Sequence, residues 1–134
     1  MQRSAEKGLY LDASALVKLV VPEAETAGLT AFVERHVVLT SCSLARVEVV
    51  RAARPHGAGA IATARALIAK LDLVQLDDEL LNLAGDLEGP LRSLDAVHVA
   101  AAMELGEGLE AFITYDRQMT RAAESLGLPV VAPV

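Results

Sequence analysis

Four acids in this chain interrupt apolar segments, where a carboxylate is costly. Asp12 closes the run LYL within "LYLDASALVKLVVPE". Glu48 lies in "SLARVEVVRAA", and on a helix it lines up with Leu44, Ala45 and Ala52 at i−4, i−3 and i+4. Asp95 lies in "SLDAVHVAAAM", with Ser93 placed to cap the helix. The apolar stretch through Met103 then puts Asp95 in a buried first turn. Asp116 follows the run AFITY in "FITYDRQM". A buried ionised acid without a partner would sooner take up a proton than stay charged.

Taken singly, each acid has an ordinary explanation. Asp12 and Asp116 can cap helices, Asp95 can face a helix dipole, and Glu48 can pair with Arg46 or Arg51. Taken together they need more. Two carboxylates about 4 Å apart repel by roughly 4 kcal/mol at an effective dielectric of about 20, so a cluster stays ionised only beside a cation. Oxygen donors suit a hard divalent ion, Mg²⁺ or Mn²⁺. Such an ion activates water and neutralises charge building on a phosphate, which fits phosphodiester hydrolysis.

The elements that must position these acids alternate in type. Short β-rich runs fall at 9–11, 37–40, 73–76, 111–115 and 130–131. Helical spacing marks 14–20, 24–35, 43–54, 59–70, 78–87, 94–105 and 117–126. Alternation of this kind predicts an α/β fold with a mainly parallel central sheet of about five strands, flanked by helices on both faces. Asp12 and Asp116 would then arrive at the same carboxyl edge, on strands about 4.8 Å apart if adjacent. The segment PHGAGA at 55–60 reads as a turn between antiparallel helices, because no Lys-Ser/Thr follows it as a phosphate loop requires.

Bulk properties narrow the function classes. The 134 residues are read as a single domain, 1–134, with an aliphatic core: 53% are hydrophobic, 3% aromatic, and none is Trp. No run approaches the roughly 18 apolar residues of a spanning helix, and the start MQRSAEKGLY has no signal-like apolar region. The expectation is a cytoplasmic protein without a membrane segment. One cysteine, Cys42, precludes an internal disulfide, and with no matching His motif it is not read as a nucleophile. A net charge of −6 argues against coating nucleic acid through bulk positive charge, but not against holding a phosphodiester through a metal. Phosphate would have to be held locally. Arg46, Arg51 and Arg54 flank Glu48, and Arg117 and Arg121 follow Asp116. Arg46 and Arg117 are favoured as neighbours of site acids. His98, one turn after Asp95, reads as a packed or hydrogen-bonded structural residue.

In order along the chain, "LDASALVKL", "SLARVEVVRA", "SLDAVHVAAA" and "FITYDRQM" resemble the motifs of PIN-domain ribonucleases, specifically VapC-type toxins of bacterial toxin–antitoxin pairs. The resemblance covers essentially the whole chain. It implies a PIN-like fold and a metal-dependent endoribonuclease. Asp12, Glu48, Asp95 and Asp116 would act as catalytic and metal-holding residues around Mg²⁺ or Mn²⁺, with Ser14 and Thr114 supporting them. It implies an RNA substrate, a VapB-like antitoxin partner and a homodimer. Residues 14–35, with Leu16, Leu19, Val20 and Val21 near a bend at Pro22, are the surface considered for the antitoxin. One departure matters: some relatives carry an acid two residues beyond the last one, where this chain has Gln118, which puts a second ion in doubt.

Two other readings compete. Phosphatases of the haloacid dehalogenase type also use an Asp at the end of a first strand, but they resemble D-x-D where this chain has Asp12-Ala13-Ser14. A PIN-like fold can also serve as a catalytically silent binding scaffold, although all four acids are present here.

Overall fold

The computed structural model describes residues 7–134. Its five strands are β1 (Gly8–Leu11), β2 (Leu39–Cys42), β3 (Asp72–Val74), β4 (Leu109–Ile113) and β5 (Val130–Val131). The seven α-helices are α1 (Ala13–Lys18), α2 (Thr26–Val33), α3 (Ala45–Ala53), α4 (Ala58–Ala69), α5 (Asp78–Asp86), α6 (Ser93–Glu104) and α7 (Arg117–Ser125). The strand order is β3-β2-β1-β4-β5, and every neighbouring pair is parallel.

β1 holds the centre because it is apolar on both sides, as a strand covered on both faces must be. Its period of two divides the molecule. Leu9 and Leu11 join Ala15, Leu16, Val49 and Val50 in a core under α1 to α4. Tyr10 joins Phe112, Leu80, Val99 and Met119 in a second core under α5 to α7. With so few aromatics, small side chains let α6 lie close to the sheet: Ala96 and Val97, then Val99 through Ala102, are all buried.

All the expected strands and helices form, with shifted ends. β2 runs over 39–42 instead of 37–40, because β1 pairs Leu9 with Leu39 and Tyr10 with Thr40, which leaves Val37 83% exposed. β4 ends at Ile113, two residues early, where its neighbours β1 and β5 end at Leu11 and Val131. Thr114 and Tyr115 therefore lie past the strand. Residues 55–60 are the expected turn: a 3₁₀ turn at Arg54–His56, then Gly57 at φ 97°, a conformation open to glycine at no steric cost, then α4. Ser93 does not cap α6. Arg92 is the N-cap and Ser93 the first helical residue. The surface considered at 14–35 is also corrected: Leu16 and Val20 are buried, and Leu19 and Val21 pack on the same core, because α1 lies against α3.

Phe112 is fully buried and stacks on Tyr10 at 5.4 Å between ring centroids, under the middle of the sheet. Phe112→Ala is expected to cost about 3–5 kcal/mol, read as a lower denaturant midpoint at unchanged slope.

Candidate functional site

Connections leave the neighbouring central strands β1 and β4 toward opposite faces, α1 to one and α7 to the other, which opens a crevice at their carboxyl ends. Asp12 sits at that point as the N-cap of α1, a buried residue 2% exposed. Oδ1 accepts hydrogen bonds from Ser14 Oγ at 2.6 Å and from the Ala15 amide at 3.0 Å; Oδ2 accepts from Thr114 Oγ1 at 2.5 Å. Burial raises its pKa in spite of these bonds.

The same two hydroxyls reach the next acid. Ser14 Oγ accepts from the Tyr115 amide at 3.0 Å, and Thr114 Oγ1 accepts from the Asp116 amide at 3.1 Å. Asp116 is the N-cap of α7, its Oδ1 accepting from the Met119 amide at 2.8 Å, and it is exposed. The capping explanation is therefore correct for both aspartates, and it is also what orients them: a cap pins one carboxylate oxygen to a helix start at the sheet edge.

Asp95 stands in the first turn of α6, half-buried where the apolar helix suggested full burial. Burial raises its pKa, and the charges of Asp116 and then Glu48 push it further, against the opposing pull of His98 and Arg92. Glu48, on α3, is not paired with Arg46 or Arg51. Its Oε1 accepts from His98 Nε2 at 2.7 Å. His98 is 1% exposed, as its structural reading required. Burial works against a charged imidazole, but the hydrogen bonds with Cys42 and Glu48 outweigh it and raise the His98 pKa to about 10.

Glu48 and Asp116 line an open cleft of ≈ 480 Å³ with Ser14, Lys18 and Tyr115. Sequence reasoning missed Lys18, whose ammonium binds Glu23 and Glu25 and lies 4.8 Å from the centre of the Tyr115 ring. It missed the His98–Glu48 contact too. The available signal was the spacing of Asp95 and His98, one turn apart on one helix face. Arg46 is misplaced by adjacency. Two positions along a helix is a rotation of about 200°, so Arg46 turns from Glu48 toward α4 and lines a separate cleft with Val50 and Arg65. Arg51, at i+3 from Glu48, shares its edge instead. Arg117 is exposed beside Asp116.

Among the described residues no three His, Cys, Asp or Glu side chains converge closely enough to enclose a metal ion. The donor set nonetheless fits a hard divalent cation: it is all carboxylate oxygen, and the mutual repulsion felt by Asp95 is what such an ion would relieve.

The PIN domain family model matches residues 9–125. Three curated proteins of Mycobacterium tuberculosis are similar along nearly their whole length. Ribonuclease VapC46 is 44% identical over 126 residues, covering 93% of this chain and 97% of its own. Ribonuclease VapC35 is 38% identical over 133 residues (93% and 96%), and Ribonuclease VapC47 is 36% identical over 132 residues (93% and 96%).

The raised carboxyls have a consequence for stability. Asp12 and Asp95 bind a proton more readily folded than unfolded, so their contribution is fully present below about pH 4 and is lost as pH rises through the folded pKa. Asp95→Asn removes one such loss. In metal-free buffer its stability relative to wild type should grow between about pH 4 and pH 7, measured by denaturant unfolding. A difference independent of pH would contradict the assignment.

Proposed function

The chain belongs to the PIN-domain family, and from that premise we propose that it is a metal-dependent endoribonuclease toxin, held inactive by a VapB-like antitoxin in the cytoplasm and active as a homodimer. Its similarity to three proteins named as VapC ribonucleases supports the ribonuclease reading. The observation that carries the site is the pair of hydroxyls, Ser14 and Thr114, that bind Asp12 and reach the chain at Asp116, at the edge where Asp95 and Glu48 also feel one another's charge.

In this reading Asp12, Glu48, Asp95 and Asp116 hold Mg²⁺ or Mn²⁺. When bound, the ion would neutralise the carboxylates and draw charge from a phosphate. The chain's own groups do the rest. A site carboxylate takes the proton of the attacking water as the new phosphorus–oxygen bond forms and the bond to the leaving sugar oxygen breaks. Ser14 and Thr114 keep the Asp12 carboxylate oriented through its buried hydrogen bonds. Arg117, exposed beside Asp116, and Arg51, exposed one turn from Glu48, would meet RNA phosphates, and the net charge of −6 makes such local cations the means of holding RNA. Gln118, exposed two residues past Asp116, adds no carboxylate, so a second ion would be held weakly.

Asp12→Asn and Asp95→Asn should each lower cleavage of a mixed RNA substrate at least about 100-fold with unchanged circular dichroism. EDTA should abolish wild-type cleavage, and Mg²⁺ or Mn²⁺ restore it. Cleavage by both variants at the wild-type rate would contradict the assignment and favour a scaffold indifferent to its acids.

A further inference from the structure

Behind the acids lies a chain of side chains that the proposed chemistry leaves without a task. Tyr10 on β1 is fully buried, and its hydroxyl is 2.8 Å from His98 Nδ1. The two rings meet edge to face at 5.9 Å. Cys42 Sγ, on β2, is 3.7 Å from the same nitrogen. The other ring nitrogen, Nε2, is 2.7 Å from Glu48 Oε1.

The donor and acceptor inventory gives this chain a direction. A glutamate carboxylate accepts and does not donate, so Nε2 must carry the hydrogen. In the neutral ring Nδ1 then accepts from the Tyr10 hydroxyl. In the charged ring Nδ1 donates toward Tyr10 or Cys42. The bond from Nε2–H to Glu48 is the same in both states, so it holds whatever the ring's charge.

The bond also joins two layers. Glu48 is on α3, over the Leu9–Leu11 face of the sheet, and His98 is on α6, over the Tyr10 face. They meet around the carboxyl end of the sheet. A glutamate on a helix surface has three rotatable side-chain bonds. Here one of its oxygens is tied to a ring that is itself held by a buried strand, and among the described residues the other oxygen, Oε2, accepts no hydrogen bond. The helix turn that ends in His98 begins at Asp95, so one segment of α6 both supplies one acid and fixes another.

We propose that His98 is a positioning residue: anchored by Tyr10, it holds Glu48 in the arrangement in which its free oxygen can reach the ion. The inference rests on the reading of Glu48 as a metal-holding carboxylate. It assigns the buried histidine a task beyond pairing the Tyr10 hydroxyl, since that bond uses Nδ1 and leaves Nε2 for Glu48.

The test has two arms. In the metal-free wild type, nitrogen-15 NMR of the His98 ring should show Nε2 protonated, and Glu48→Gln should shift that resonance. An unprotonated Nε2, or a resonance unmoved by the substitution, would overturn the proposal without any change at His98. In the second arm Mn²⁺ affinity is read by electron paramagnetic resonance on variants whose folding is checked by thermal unfolding. His98→Leu should weaken Mn²⁺ binding about 10–100-fold, the range typical of groups that orient metal ligands. His98→Gln, which keeps a donor near the Nε2 position, should recover most of it. In a Glu48→Gln background His98→Leu should have no further effect. Folded His98→Leu with wild-type Mn²⁺ affinity, or an equal loss in the Glu48→Gln background, would overturn the positioning role. Failure of the wild type itself to bind Mn²⁺ would instead overturn the reading of the acids as a metal site, and this inference with it.

Discussion

The structure depends on one buried carboxylate. Asp12 ends the central strand, starts the first helix and has its two oxygens bonded to groups from two parts of the chain: Ser14 and Ala15 just ahead, and Thr114 from beyond β4. Removing a carboxylate from water costs several kcal/mol unless hydrogen bonds repay it, and here three do so incompletely, since the acid still holds its proton more tightly than a free one. A site that keeps such a group at 2% exposure keeps an electrostatic debt that a cation can discharge.

From that point the rest follows by connectivity. Parallel β1 and β4 bring Asp12 and Asp116 to one edge, and the hydroxyls of Ser14 and Thr114 tie the two turns together. The flanking layers supply one acid each, Glu48 from α3 and Asp95 from α6. The layers meet through His98, so the second sheet face is coupled to the first by a hydrogen bond as well as by packing. The small side chains of α6 contribute here: a helix of alanines and valines lies close to the sheet, which lets a single imidazole span the distance.

Much of this was legible in the chain. The alternation of short β runs with helical spacing is a local signal, and it recovered each strand and helix. A helix-start aspartate after a strand is equally local, which is why the caps at Asp12 and Asp116 were legible. Strand ends were not legible, because they are set by partners: β2 is moved by its register with β1, and β4 stops where its neighbours stop. Direction around a helix defeats sequence adjacency. Arg46 is two residues from Glu48 and turns away from it, while His98, fifty positions distant, is its hydrogen-bond partner. The Leu16–Val21 segment resembled a surface because its bend at Pro22 is visible in the sequence and the α3 face it packs on is not.

The claim at the centre is that these acids form one metal site, and a Mn²⁺ titration followed by electron paramagnetic resonance on folded wild type and Asp95→Asn tests it without knowledge of the RNA. The account predicts saturable binding by the wild type and binding at least tenfold weaker in the variant, a loss of about 1.4 kcal/mol or more. Equal binding by both proteins, or none by the wild type at millimolar Mn²⁺, would contradict it.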